Sequence, residues 1–182
     1  MIDIEDTIRA FDLYLAKLNL SFSGVAVGGA ALNLLGIVTR LTKDCDILDP
    51  DIPDALLKHA AAFAAAQRQI GKTIGDDWFN NGPKSLKRTL PKGWEMRLQA
   101  LFNGKALKLL TLHRTDLLKT KLFAYCDRDV DREDCMALRP TEKELDEAFE
   151  WVKDQDANSQ WASHVTAQFG RLKKELGYAV RS

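Results

Sequence analysis

The chain has 182 residues, 46% of them hydrophobic, enough for one domain with a real core or for a domain plus a helical extension. No apolar run approaches the ~18 residues of a membrane span, and the acidic start MIDIEDTIRAF lacks the basic-then-apolar layout of a signal peptide. Three cysteines (Cys45, Cys126, Cys135) at no metal-like spacing fit reduced thiols in a cytoplasmic protein rather than a disulfide framework. The 26 basic and 26 acidic side chains balance, yet residues 1–60 and 126–182 are acidic and residues 61–125 basic. A basic middle beside an acidic stretch suits a polyphosphate ligand. Read alone, Lys84, Lys87, Arg88 and Lys92 are a solvated loop.

Ile4, Ile8, Phe11, Leu15 and Leu18 recur at helical spacing and predict a helix over 4–18. Phe22 to Val27 reads as a buried strand ending at Gly28-Gly29, and Ala30 to Leu35 as a short helix closed by Gly36. Cys45 to Leu48 reads as a second strand. Pro53 then opens an alanine-rich helix that runs to about Gln69. From Gly71 to Gly93 the chain is a long connection with room for a short strand or turn, and Trp78 and Phe79 are its anchors. Trp94 to Phe102 and Ala106 to Leu112 read as two strands joined by the hairpin signal Asn103-Gly104. Asp116 to about Cys126 is helical, Thr141 and Glu144 form a capping box for a helix through Lys153, and Trp161, Val165, Phe169, Leu172 and Leu176 stripe a last helix. The expected class is α+β: a small mixed sheet flanked by helices over residues 1–113, and a helical region over 114–182 packed on that core.

The window from Val25 to Leu48 carries the chemistry. Gly28 and Gly29 lack Cβ atoms, so backbone N–H groups there can approach a phosphate closely. Asp44 and Asp46, two apart on a strand, point to one face and can converge on Mg²⁺ or Mn²⁺ through hard oxygen ligands. Arg40 is placed to steady a phosphate or orient the aspartates. Two like charges in an apolar setting require compensation; a metal ion or a solvent-facing edge strand would each supply it. Gly71-Lys72-Thr73 is not a phosphate loop, because position 66 is alanine and a helix precedes it. His59, His113 and His164 have no zinc spacing. Asp127, Asp129 and Asp131 lack the glycine and terminal glutamate of a calcium loop and read as a polar helix end, with Asp131 and Asp134 pairing to Arg128 or Lys121.

The order strand, Gly28-Gly29, short helix, Arg40-x-Thr42-x-Asp44-x-Asp46 resembles the DNA polymerase β-like nucleotidyltransferase superfamily, and within it bacterial proteins related to the AbiEii toxins. Asp77-Trp78-Phe79-Asn80, Gly93-Trp94-Glu95-x-Arg97, Asp116-Leu117-Leu118-x-x-Lys121 and Arg128-x-x-Asp131-x-x-Asp134 look like later blocks of that group, covering roughly residues 20–140. The resemblance implies the nucleotidyltransferase fold and metal-dependent nucleotidyl transfer. Carried over by position, it implies that Gly28, Gly29, Arg40 and Thr42 hold a nucleoside triphosphate, that Asp44 and Asp46 hold the metal, and that Lys121, with Arg128 on the same helix side, neutralises phosphate charge. A third carboxylate ordinarily comes from a later strand of this superfamily; Glu95 is the only acid within the expected hairpin strands and stands for it here.

Three functions follow as expectations. The first is an Mg²⁺-dependent enzyme that moves a nucleoside monophosphate from a triphosphate to a hydroxyl on a protein, RNA or small molecule, in an AbiEii-like toxin or phage-defence role with an antitoxin partner. The second is a nucleotide-binding or regulatory module that kept the fold without efficient chemistry. The third is an RNA-binding module using residues 84–97, with a salt-dependent affinity that survives loss of Asp44 and Asp46.

Overall fold

The computed structural model describes residues 3–179. The chain forms two compact units, Met1–Arg88 with Glu95–Leu112, and Thr89–Trp94 with His113–Ser182.

The first unit is α+β. Helix α1 (Ile4–Lys17) is capped by Asp3, whose carboxylate accepts the Asp6 N–H, and it buries Ile4, Ile8, Phe11 and Leu15 as the spacing predicts. Then follow β1 (Phe22–Val27), α2 (Gly28–Leu34), β2 (Cys45–Asp49), α3 (Asp54–Gln69), β3 (Phe79–Asn80), β4 (Gln99–Asn103) and β5 (Leu107–Thr111). The five strands make one mixed sheet in the order β3-β2-β1-β5-β4. β1 pairs antiparallel with β2 and parallel with β5; β3 runs parallel to β2, and β4 antiparallel to β5. Cys45 and Ile47 of β2 join the core with residues of α1 and α3. Strand alternation therefore turns Asp46 to the opposite face. The core is aromatic at its centre. Phe11 lies 5.1 Å from Trp78 and 5.2 Å from Phe63, centroid to centroid, and the indole N–H of Trp78 donates to the Ala60 carbonyl at 3.1 Å. Trp78 and Phe79 are thus the anchors of the long connection.

Three local expectations are corrected. The short helix starts at Gly28 and not at Ala30, with Gly28 at φ +74 making the turn out of β1. The first part of the expected strand from Trp94 is a 3-10 helix, Trp94–Arg97, so Glu95 lies on a helical turn and not on a strand. The cause is Pro91-Lys92-Gly93: Gly93 sits at φ +74 and the Trp94 N–H donates back to the Pro91 carbonyl, which starts a turn where an extended chain was expected. The hairpin loop, in turn, is shifted by one residue. Residues 104–106, not 103–105, separate β4 from β5, and the carboxylate of Asp12 on α1 accepts the N–H groups of Lys105 (3.0 Å), Ala106 (2.7 Å) and Leu107 (2.8 Å).

The second unit carries α4 (Arg114–Arg128), α5 (Arg132–Ala137), α6 (Glu142–Lys153) and α7 (Trp161–Glu175). His113 caps α4 by accepting the Thr115 N–H, and the capping box of Thr141 and Glu144 is formed at α6. α7 buries Trp161, Val165, Phe169 and Leu172. Phe149 of α6 meets Phe169 edge-on at 5.3 Å, and Phe123 of α4 meets Trp161 at 6.0 Å. Among the described residues, no helix is long and apolar enough to cross a membrane.

Candidate active site

The site begins where β1 ends. Val27, the last residue of β1, stands in register with Asp46 on β2, so the chain that turns into α2 starts beside that carboxylate. A Cβ at Gly28 would stand 3.0 Å from Asp46 Oδ2, and its positive φ is a conformation that side chains resist. A Cβ at Gly29 would stand 3.3 Å from Thr42 Oγ1 and 3.5 Å from Arg40 Nη2. The structure therefore brings Gly28, Gly29, Arg40, Thr42 and Asp46 to one place. The loop that carries Arg40 is held from α2, because Asn33 donates to the Arg40 carbonyl at 2.9 Å. Thr42 is buried and its hydroxyl donates to the Asp44 carbonyl at 3.3 Å. No side chain caps the start of α2, and the first N–H groups of a helix have no partner within it.

Asp44 and Asp46 are both half-buried and flank Cys45, which points into the core. Burial, with the nearby Asp77 charge adding to it, raises the Asp44 carboxyl above its usual range against the opposing effect of Lys43. Burial, followed by Asp46 and Asp44, pushes the Cys45 thiol far up, which leaves it without thiolate character for nucleophilic chemistry.

The donor set suits Mg²⁺ better than any softer ion. Mg²⁺ takes one or two carboxylates and completes its shell with water and substrate phosphates rather than with an all-protein cage. Asp44 and Asp46 are the two carboxylates that would serve such an ion, and the space left by the missing Cβ of Gly28 adjoins Asp46. Among the described residues, no three His, Cys, Asp or Glu side chains group together as a metal site. Strands β4 and β5, QALFN and LKLLT, contain no acid at all, and Glu95 is exposed on its 3-10 helix.

Lys121 and Arg128 belong to the second unit, and their surroundings differ. The Lys121 ammonium is buried and paired with Asp134 at 2.8 Å and Asp131 at 3.0 Å. Arg128 is exposed at the end of α4 and pairs with Asp127 at 3.5 Å. The polar helix end is therefore organised around Lys121, by two of the acids that the spacing assigned to it.

Sequence reasoning missed Asn33, which positions Arg40 from a helix, and the influence of Asp77 on Asp44. It also missed the loop from Asn80 to Gly82 beside Asp46. An Asn-Asn-Gly step after the aromatic pair Trp78-Phe79 was the available signal for that loop.

A family model described as "Nucleotidyltransferase of unknown function (DUF6036)" matches residues 2–139. No curated protein and no solved structure matches the chain.

Proposed function

Because the chain belongs to this family of nucleotidyltransferases, we propose that it binds a nucleoside triphosphate together with Mg²⁺ (or Mn²⁺) and transfers the nucleoside monophosphate to an acceptor hydroxyl. One observation carries the reading: the backbone of Gly28, without a Cβ, lies against Asp46 Oδ2. A phosphate can approach the Gly28-Gly29 backbone and a carboxylate-held cation at the same time. Asp44 and Asp46 hold the cation, and Arg40 and Thr42 line the Gly29 side. Such a cation would supply charge neutralisation for the phosphates and the leaving pyrophosphate. The acceptor oxygen forms a bond to the α-phosphorus and loses its proton to water, while the bond from the α-phosphorus to the bridging oxygen breaks and pyrophosphate leaves. Catalysis in this scheme is positioning and charge neutralisation. The resemblance to AbiEii-type toxins extends the proposal to a toxin or phage-defence role, with a protein, RNA or small molecule as acceptor and an antitoxin as partner.

The acid-free β4 and β5 favour a second reading, a module of the same fold that binds nucleotide and transfers it slowly. Incubation with each α-labelled triphosphate, Mg²⁺ and a cell extract separates the two. Label transferred to an acceptor, and lost when Asp44 and Asp46 are both changed to Ala without loss of fold, sustains the enzyme. Mg²⁺-dependent nucleotide binding without transfer to any acceptor establishes the binding module. Absence of nucleotide binding overturns both.

A further inference from the structure

Gly28 shares its place against Asp46 with a second glycine, Gly82. Gly82 opens the 3-10 helix Gly82–Arg88, and a Cβ there would stand 3.7 Å from Asp46 Oδ1. The two oxygens of one carboxylate thus face backbone without side chains from two separate elements. The loop that delivers Gly82 is tied to β2. Asn80 is the register partner of Asp46 across the β2–β3 pair. Its Oδ1 accepts the Gly82 N–H at 2.6 Å, and its Nδ2 donates to the Asp77 carbonyl at 3.2 Å. Asn81 accepts the Ile52 N–H at 2.6 Å and donates to the Ile47 carbonyl at 2.8 Å.

Two demands fall on Gly82, and they are separable. The local demand is that a Cβ would come within 2.8 Å of Asn80 Oδ1, which the turn holds in place. The other concerns the site. Mg²⁺ sits ~2.0–2.1 Å from a ligand oxygen and carries further oxygens beyond it, so a methyl group 3.7 Å from Oδ1 takes volume that the ion's remaining ligands need. We infer that Gly82 is a cation-binding position of this site: its lack of a side chain spares the volume beside Asp46 Oδ1 that a divalent cation and the phosphate oxygens it carries would take. The inference rests on the reading of Asp46 as a cation ligand given above.

Mn²⁺ alone, titrated against the full chain and followed by the electron paramagnetic resonance of the free ion, tests it, with thermal unfolding reporting the fold of each variant. Gly82→Ala is placed in an Asn80→Ala background, where the local obstacle is gone. The double variant is expected to bind Mn²⁺ about tenfold more weakly than Asn80→Ala alone, the scale on which residues around the ligands act. Equal affinity of the two overturns the inference and reduces Gly82 to a turn residue. Asp46→Asn distinguishes the failures: Mn²⁺ binding that this change leaves intact overturns the reading of Asp46 itself, whereas binding lost in Asp46→Asn but kept in the double variant overturns only the role of Gly82.

Discussion

Asp12 and Asp44 are two carboxylates of the first unit drawn out of water, and their surroundings move them in opposite directions. At Asp12, burial raises the carboxyl, but the N–H groups of Ala106, Leu107 and Lys105 outweigh it and hold the group below its usual range. At Asp44, burial again raises the carboxyl, and Asp77 adds to the effect instead of opposing it. The first is a charge already answered by the backbone, so it holds the fold together. The second is a charge whose ionised form the protein makes less favourable. Burial is common to both; the difference lies in what faces the oxygens. Lys121 falls with Asp12, since two acids answer its ammonium within the second unit.

Changes at the answered charges are expected to have the largest effects on stability. Lys121→Ala removes the cation that faces the deeply buried Asp134 and is expected to cost about 3–5 kcal/mol in denaturant unfolding, the range for breaking a buried pair from one side. Asp12→Ala leaves three N–H groups of the hairpin loop without their acceptor and is expected to cost about 3 kcal/mol. A loss below 1 kcal/mol at Asp12 would break the contrast from its structural side.

At β2 the expected effects are on function. Asp44→Ala with Asp46→Ala is expected to lower nucleotidyl transfer by at least ~100-fold, with far-ultraviolet circular dichroism unchanged. Retained transfer in that variant would mean that the Asp44 and Asp46 carboxylates are not where the chemistry occurs. The smallest effect is a pH signature. Because the Asp44 carboxyl is raised in the folded chain, its ionisation weakens the fold above the usual carboxylate range, and acid relieves this. Asp44→Asn should therefore raise the melting temperature at neutral pH, and the gain should fade as pH falls. The depressed carboxyl of Asp12 does the reverse: its stabilisation is full above the usual range and is lost as pH falls through the lowered value. Melting temperatures of the Asn variants across pH 3–8 compare the two directly.

The helices and the strand that carries Asp46 were legible in the sequence because local chemistry decides them. The apolar stripe of α1, the alternation around Asp46, and the Thr141–Glu144 box all act within a few residues. What was not legible depends on partners far along the chain. Asp12 sits in an amphipathic helix like any surface acid, and only the hairpin loop more than ninety residues later gives it a role. Glu95 looked like a strand residue because Trp94 to Phe102 has the right composition, but the Gly93 turn wound its first part into a 3-10 helix. Gly82 lies 36 residues beyond the carboxylate it faces, in a segment whose composition indicated only a loop.

The hold of Asp12 on the hairpin loop also bears on where this chain tolerates interruption. A hairpin tip marked by Asn-Gly is an obvious place to splice in a tag, a fluorophore or a protease site, since loop tips usually accept them. Here the loop is the fastening point of α1, and any inserted residue would separate Lys105, Ala106 and Leu107 from the oxygens they share. The stretch Gly71–Thr73, with its three residues exposed and nothing within 4 Å of the Gly71 Cβ position, is the better splice point in the first unit. An insertion there leaves the aromatic core and the elements that meet at Asp46 uncut.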